Sequence, residues 1–430
     1  MENAFNSVRE NVEACLQAIA SQDHQLHAWE AVFEESARNQ AAQLDNGAKN
    51  GPLKGLVIGL KDIFEMTGRP PGNGANVKPI RIPETTATLV RLLENAGAIM
   101  LGTTELTEFC WFRPGPTRNP HNLEHTPGGS SSGSAAAVAA GMVPVAIGSQ
   151  TKGSTIRPAS FCGIYGFKPT FGVVSCAGMT HLCPSFDHPG IFARSPEDIV
   201  SVFEVLAQYD KNDPRSINLA IRQELSQDLT IGVFDCNRLA SINPEMSQAL
   251  TNYTHRLKEE GFHVKGIPLP DWFFHAEEIF QPIFLAEASD CLGYIIKQGE
   301  GDKVGAEIRD VIEEGKKVTI ESYFSALKKR DELSVQVDLL FDEFDIVVLP
   351  SSLGPAPASL QSTGDPVMTV ISSMIGIPAA SIPTGLDRDG MPLGMQIWAR
   401  KYHDRQLLSA LKCLPAKLIP PSSFTGISAK

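Results

Sequence analysis

Apolar residues recur at helical spacing over Glu2–Ala20 and again over His27–Leu44, where Asn46-Gly47 closes the second run. The rhythm then changes. Leu56–Leu60 is a compact apolar run between glycines and reads as a short buried strand with Lys61 at its end. Thr86–Ala96 returns to helical spacing and Ala98–Leu101 to a strand, and this switching of period predicts an α/β protein. Ser195-Pro196-Glu197-Asp198 joins an N-cap serine to a proline at the first helical position, launching a helix to about Tyr209.

The pattern continues through the second half. Thr230–Phe234 reads as a strand, and Pro244–Glu260 as an amphipathic helix stopped by Gly261. Helical patterns dominate from Trp272 to Leu340, Ile346–Leu349 returns as a strand closed by Pro350, and Pro378–Leu408 mixes short strands with Gly and Pro turns. No repeat or low-complexity linker marks a domain boundary, and the polar stretch Asp210–Asp228 is only a short excursion. The 430 residues, 42% hydrophobic, can bury a substantial core.

Charge and cysteine usage narrow the partners and the compartment. A formal net charge of −12 disfavours nucleic acid, and the basic cluster Lys328-Lys329-Arg330 sits beside Asp331 and Glu332 as a solvated helix face. Eight cysteines without a CxxC pair read as reduced thiols of a cytosolic protein. The first residues carry no apolar signal core. The near-apolar stretch Ala135–Gly148, interrupted by Gly141 and Pro144, falls short of the roughly 20 residues of a membrane helix. A cytoplasmic protein with no membrane and no nucleic-acid partner is expected.

Two glycine-bounded segments carry the chemistry. In GLVIGLKD, Lys61 follows an apolar wall; neutralising an ordinary lysine at pH 7 costs about 4–5 kcal/mol, a cost that burial lowers. Asp62 would point to the opposite strand face. The plain alternative is a strand-end lysine reaching solvent. In the second segment, Gly129–Gly133 fits G-x-S-x-G with Ser131 as nucleophile, but a loop (NPHNLEHTPGG) precedes it where a nucleophile elbow needs a strand. A turn that caps the helix Gly133–Gly141 is the stronger reading of those five residues. Gly148–Ser154 (GSQTKGS) can converge backbone N–H groups on one anionic oxygen, whereas its spacing fails the phosphate-loop pattern. The ten histidines form no HExxH or His/Cys cluster, and His121 and His125 lie in a Pro-rich loop, so no metal is expected. Trp111-Phe112 and Trp272-Phe273-Phe274 read as core rather than pocket.

The run GGSSSGSAAAVAAGMVPVAIGSQTKGSTIRPASFCGIYGFKPT closely resembles the signature of the amidase signature family, and GLVIGLKD its lysine segment. The resemblance continues through TLVRLLENAGAIMLGTTELTEF, DIVVLPSSLGPAP and IGIPAASIPTGLDRDGMPLGMQIWA, covering almost the whole chain. It implies a single α/β/α domain over residues 1–430 around a large mixed β-sheet. Within it lie N-terminal helices to about 46, a signature core at about 52–175, a variable pocket region at about 176–345 and a sheet-completing segment at about 345–430. It further implies Lys61 as catalytic base, Ser130 as bridging serine preceded by a cis peptide, and Ser154 as nucleophile. Backbone N–H groups of Thr151, Lys152, Gly153 and Ser154 would be oxyanion donors, and no cofactor is implied. Two departures stand out: Gln150 replaces a common aspartate with the arginine displaced by one position to Arg157, and Lys152 stands where glycine is usual.

The resemblance implies a serine amidohydrolase acting on a small amide, carbamate or related C–N bond through an acyl-enzyme. The A subunit of a glutamine-dependent tRNA amidotransferase shares the signature, with Lys152 and the atypical turn against it. A catalytically inactive member acting as a binding protein is the third reading. A homo-oligomer or a small partner subunit stays open. The specific substrate is not legible, the pocket being expected around Trp111, Cys176–Asp187, Phe273–Phe284 and Gly354–Asp365.

Overall fold

The computed structural model describes residues 7–47, 50–218 and 229–421. Residues 2–6 of the first expected helix and 219–228 of the polar excursion therefore lie outside the described residues. The first half runs α1 (Val8–Leu26), β1 (Trp29–Val32), α2 (Glu34–Asp45), β2 (Val57–Lys61), α3 (Thr88–Asn95), β3 (Ile99–Thr104), α4 (Ser132–Ala139), β4 (Val145–Gln150), α5 (Ile156–Phe161), β5 (Tyr165–Lys168), β6 (His188–Ala193) and α6 (Pro196–Leu206). The second runs β7 (Thr230–Asp235), α7 (Pro244–Glu259), β8 (His263–Pro268), α8 (Ala276–Lys297), α9 (Ala306–Gly315), α10 (Ile320–Asp338), β9 (Ile346–Pro350), α11 (Val370–Met374), β10 (Ala379–Leu386), β11 (Pro392–Ala399) and α12 (Asp404–Cys413).

Among the described residues, eleven strands join one mixed sheet in the order β1-β3-β2-β4-β6-β5-β10-β11-β9-β7-β8. β2 is parallel to both β3 and β4, and β7 to both β8 and β9, while the pairings between these two parallel groups are antiparallel. Period-two alternation decides what each face buries. Val57, Ile99, Leu101 and Ala146 pack with α1, α2 and α4 on one side, whereas Ile58, Leu60, Met100 and Ile147 join the α3 and α6 side chains Leu89, Leu93, Val202 and Phe203 on the other. Covered on both faces, the strands read as continuous apolar runs. This is the expected α/β/α arrangement around a mixed sheet.

Local signals explain several boundaries. Ser195 accepts from the Asp198 N–H at 3.1 Å with Pro196 at the first helical position, as its tetrapeptide predicts. The expected helix His27–Leu44 is a correction: its first residues form the edge strand β1, paired to β3 through Trp29, Ala31 and Val32. Those apolar residues satisfy either period, and the open edge of β3 decides between them. β4, β5, β6 and β8 are also absent from the sequence reading. The helical stretch Asp271–Lys297, which contains α8, is long and apolar enough, by length and composition, to cross a membrane, unlike the shorter stretch singled out above, yet Phe280, Ile283, Phe284, Ala288, Leu292 and Ile295 along it are buried in the protein. Among the described residues no cysteine is bonded to another.

Candidate active site

Lys61 is the last residue of β2, flanked by parallel neighbours, and the chain leaving β4 forms the turn 151–155 that leads into α5. The C-terminal ends of parallel strands are where α/β sheets open crevices for ligands. Here the sheet gathers residues from distant segments. Lys61 is fully buried, with its Nζ 2.7 Å from Ser130 Oγ and 2.8 Å from Ser149 Oγ. Both partners are neutral hydroxyls, and burial pulls the Lys61 pKa down, opposed by nearby Cys110 and Asp187. Asp62 turns away to accept the Gly72 N–H at 2.8 Å, and the solvent-reaching alternative for Lys61 is excluded.

The Gly129–Ser130 peptide is cis. Its surroundings hold it from two sides, through Thr107 N–H to Ser130 O at 3.1 Å and Arg157 Nη2 to Gly129 O at 2.8 Å. Ser131 occupies the N-cap position of α4, and its carbonyl accepts from Ala135 N–H at 3.2 Å, but its side chain makes no cap hydrogen bond. Its hydroxyl donates to Ser149 O at 3.1 Å and accepts from Ser149 N–H at 3.2 Å, tying the serine triplet to the end of β4. The triplet thus opens the following helix as expected, without the side-chain cap.

Ser154 is buried and lines one cavity together with Ser130, with no hydrogen bond between the two hydroxyls among the described residues. Among the described residues, no protein oxygen accepts from the backbone N–H of Thr151, Lys152, Gly153 or Ser154. Buried donors left without a protein partner are available to a ligand oxygen. Gln150 organises the turn: its Oε1 accepts from Thr155 N–H at 2.9 Å and Ile156 N–H at 3.0 Å, and its Nε2 donates to Ser373 Oγ at 2.9 Å. Ser373 Oγ in turn reaches Lys152 O at 3.0 Å, and Thr151 Oγ1 donates to Asp187 Oδ1 at 2.6 Å. At Gly153 a Cβ would meet Thr369 Oγ1 at 2.3 Å, so only glycine lets the turn pack this closely.

Lys152 does not need to be glycine. Its φ is not positive, so its Cβ is unstrained. Nor does it point outward: it is 8% exposed and lines the cavity, with Nζ 2.6 Å from Glu277 Oε1 on α8 and 5.0 Å above the Phe280 ring. Burial lowers its pKa and Glu277 opposes that shift.

The cavity, about 20 Å³, is lined by Cys110, Trp111, Phe112, Leu182, Thr363 and Pro366 together with the turn and Arg157. Trp111 is a pocket wall, as the resemblance implied and against its reading as core, and Phe112 joins it as a correction to that core reading; Trp111 stacks on Phe284 at 4.1 Å. Left-handed backbone at Phe109 and Cys110 (φ 47° and 61°) precedes the two rings. Of Trp272-Phe273-Phe274, Phe273 is buried core as expected and Trp272 half-buried against it, whereas Phe274 is exposed, a correction to the core reading. The remaining expected segments reach the site through Leu182, Glu277 with Phe280, and Thr363. Sequence reasoning gave no role to Ser149, Ser373 or Asp187, although Ser149 lies in the turn Gly148–Ser154 and Asp187 ends the expected pocket segment Cys176–Asp187.

Comparison with known proteins agrees with this architecture. The amidase family profile matches residues 10–408. The A subunit of glutamyl-tRNA(Gln) amidotransferase from Agathobacter rectalis is 30% identical, covering 94% of this chain and 89% of its own. Among solved structures, a vestigial protein complex bearing on the origins of an s-triazine catabolic enzyme superposes with a TM-score of 0.87 at 29% identity, covering 96% of this chain and 97% of that one. The A subunit of the Thermotoga maritima glutamyl-tRNA(Gln) amidotransferase gives a TM-score of 0.78 at 27% identity, covering 93% and 90%. With a family profile spanning nearly its whole length and relatives aligned end to end, this chain belongs to the amidase signature family.

Proposed function

We propose that the protein cleaves a small amide or related C–N bond through an acyl-enzyme, with Ser154 as nucleophile, Ser130 as proton bridge and Lys61 as base. The observation that carries this reading is Lys61 itself, a fully buried amine within hydrogen-bond distance of two serine hydroxyls. As a neutral amine it donates one N–H to Ser149 Oγ and takes the Ser130 proton on its lone pair. Ser130 takes the Ser154 proton as Ser154 Oγ attacks the carbonyl carbon, and the oxyanion meets the N–H groups of Thr151, Lys152, Gly153 and Ser154. On collapse the C–N bond breaks and Ser130 protonates the departing nitrogen, regaining its proton from Lys61. Water then attacks the acyl ester by the same relay and releases the acid.

A fluorophosphonate probe tests the reading. Labelling of the wild type and none of Ser154→Ala is expected, with hydrolysis falling by several orders of magnitude in the variant. An unlabelled wild type overturns it in favour of an inactive binding protein.

A second reading is the A subunit of a tRNA amidotransferase, which works with partner subunits. The curated relatives favour it over a free-standing hydrolase, since the Agathobacter rectalis protein aligns over 94% of this chain. The better superposition on a solved amidase, with a TM-score of 0.84 at 27% identity, than on the Thermotoga maritima protein, at 0.78, weighs the other way. Glutamine hydrolysis that appears only with ATP and a partner protein present supports the amidotransferase reading; turnover of small amides by the chain alone supports the hydrolase.

A further inference from the structure

Among the described residues, Asp187 is a buried carboxylate with no lysine or arginine at ion-pair distance. It lies where the chain enters β6, and the register of β6 on β4, with His188 against Gln150, sets it beside the nucleophile turn. Its Oδ1 accepts from Thr151 Oγ1 at 2.6 Å. Its Oδ2 accepts from Leu182 N–H at 3.0 Å, Cys183 N–H at 3.1 Å and His181 Nδ1 at 3.1 Å. The far side of the imidazole fixes the direction of that last bond. His181 Nε2 lies 3.0 Å from Arg215 Nη2, and a guanidinium only donates, so Nε2 accepts and the ring proton sits on Nδ1. All four donors to Asp187 are therefore neutral. Arg215 is itself committed to Asp213 at 3.1 Å and to Pro184 O at 3.0 Å. A buried charge held by neutral donors alone is costly unless an opposite charge forms nearby.

The proposed relay forms one. Lys61 is held by Ser149, two positions before Thr151, and it becomes an ammonium each time it takes the Ser130 proton. Burial lowers the Lys61 pKa, and the groups that oppose the shift are the Cys110 thiol and then Asp187, the one carboxylate of the two. Around Asp187 the charged and titratable groups are His181, Arg215 and the thiols of Cys176, Cys183 and Cys291. Asp187 is absent from the cavity wall, so it acts through Thr151 and Lys61 and not on the substrate.

We infer that Asp187 is a positioning residue of the relay: it fixes the oxyanion turn through Thr151 and places a negative charge where Lys61 becomes an ammonium, with His181 and Arg215 fixing Asp187 in turn. The inference rests on the reading of Lys61 as base and Ser154 as nucleophile.

The test follows the rate of fluorophosphonate labelling against pH, resolved into kinact and KI, in wild type, Asp187→Asn, Thr151→Val and Thr151→Ser. Labelling forms the Ser154 Oγ–P bond and releases fluoride while the serine proton passes through Ser130 to Lys61, so it uses the same relay as acyl transfer. Asp187→Asn should lower kinact roughly ten- to a hundredfold, the worth of a hydrogen bond to a charged group, with KI nearly unchanged. Removing a negative charge lowers the pKa of the amine it faces, so the acid limb of the profile, set by Lys61, should move to lower pH. Thr151→Val keeps the carboxylate and should lower kinact with the limb in place, while Thr151→Ser restores the rate. A lower kinact in Asp187→Asn with an unmoved limb makes Asp187 a structural brace only and overturns the inference. An unchanged kinact in Thr151→Val also overturns it, a result that holds even where Asp187→Asn does not fold. Failure of the functional reading is separately visible as absence of labelling in the wild type.

Discussion

Lys61 Nζ lies 2.8 Å from Ser149 Oγ, a hydroxyl from the end of the neighbouring parallel strand and 88 positions away in the chain. The amine is thus held between two serines, Ser149 from β4 and Ser130 from the cis turn, rather than by Ser130 alone. In the proposed relay, Ser149 would orient the lone pair of a neutral Lys61 toward Ser130 by accepting one of its N–H bonds. Ser149→Ala should therefore lower kcat about tenfold, the value of one such bond, with little change in KM. Steady-state kinetics on any turned-over amide check this; an unchanged kcat would remove Ser149 from the relay.

Lys61→Ala should be more damaging to amides than to activated esters, because a good leaving group needs no proton from the relay. The pH profile follows from the burial of Lys61. Its pKa is pulled below the ordinary lysine value and the base must be neutral, so activity is lost as pH falls through that lowered pKa and recovered above it. A limb rising only near pH 10.4 would mean the amine is not depressed.

The pair Lys152–Glu277 ties the nucleophile turn to α8 at 2.6 Å. Glu277→Gln leaves Lys152 buried without its counter-charge, and because the Glu277 side chain is 43% exposed the expected loss is modest, about 1 kcal/mol. Lys152→Met/Glu277→Gln should regain most of it, since an apolar side chain suits a wall formed by Phe112 and Phe280. Urea denaturation of the double-mutant cycle reads the coupling. Strict additivity would say that the contact contributes nothing.

Stability should also depend on Glu105, whose pKa is pushed up to about 8 by burial first and then by its hydrogen bond to Glu30 and the charge of Glu30. A raised carboxyl pKa favours the fold while the group is protonated. The contribution is complete below the ordinary value of 4.5 and is lost as pH rises through about 8. Glu105→Gln should flatten the fall of melting temperature between pH 5 and 8 and leave the variant more stable than wild type above that range. Parallel melting curves for the two proteins across that range would show that Glu105 ionises without cost.

Short-range order was legible in the sequence. The compact run before Lys61, the strand Ala98–Leu101, the Ser195 cap and the helices from Trp272 to Leu340 all appear close to where periodicity and capping put them, because each depends on residues a few positions apart. The family and its mixed sheet were legible too, through long runs of sequence rather than through any physical pattern. What periodicity left out was pairing. β1 is a strand because β3 offers it an edge, and β4 is one because β2 and β6 flank it.

The site divides the same way. The sequence by itself determined which residue types were present: a lysine after an apolar run, a serine triplet between glycines, and a Gly-Ser turn with Lys152 and a displaced Arg157. Tertiary structure alone decided that Lys61 is buried between Ser130 and Ser149, partners 69 and 88 positions away. It alone decided that Phe112 joins Trp111 in walling the cavity, and that of two cations lining it with Ser154 one is matched by Glu277 while Arg157 keeps unpaired donors. Burial and pairing are properties of what packs around a group, and in this chain the packing partners come from segments that no local period connects.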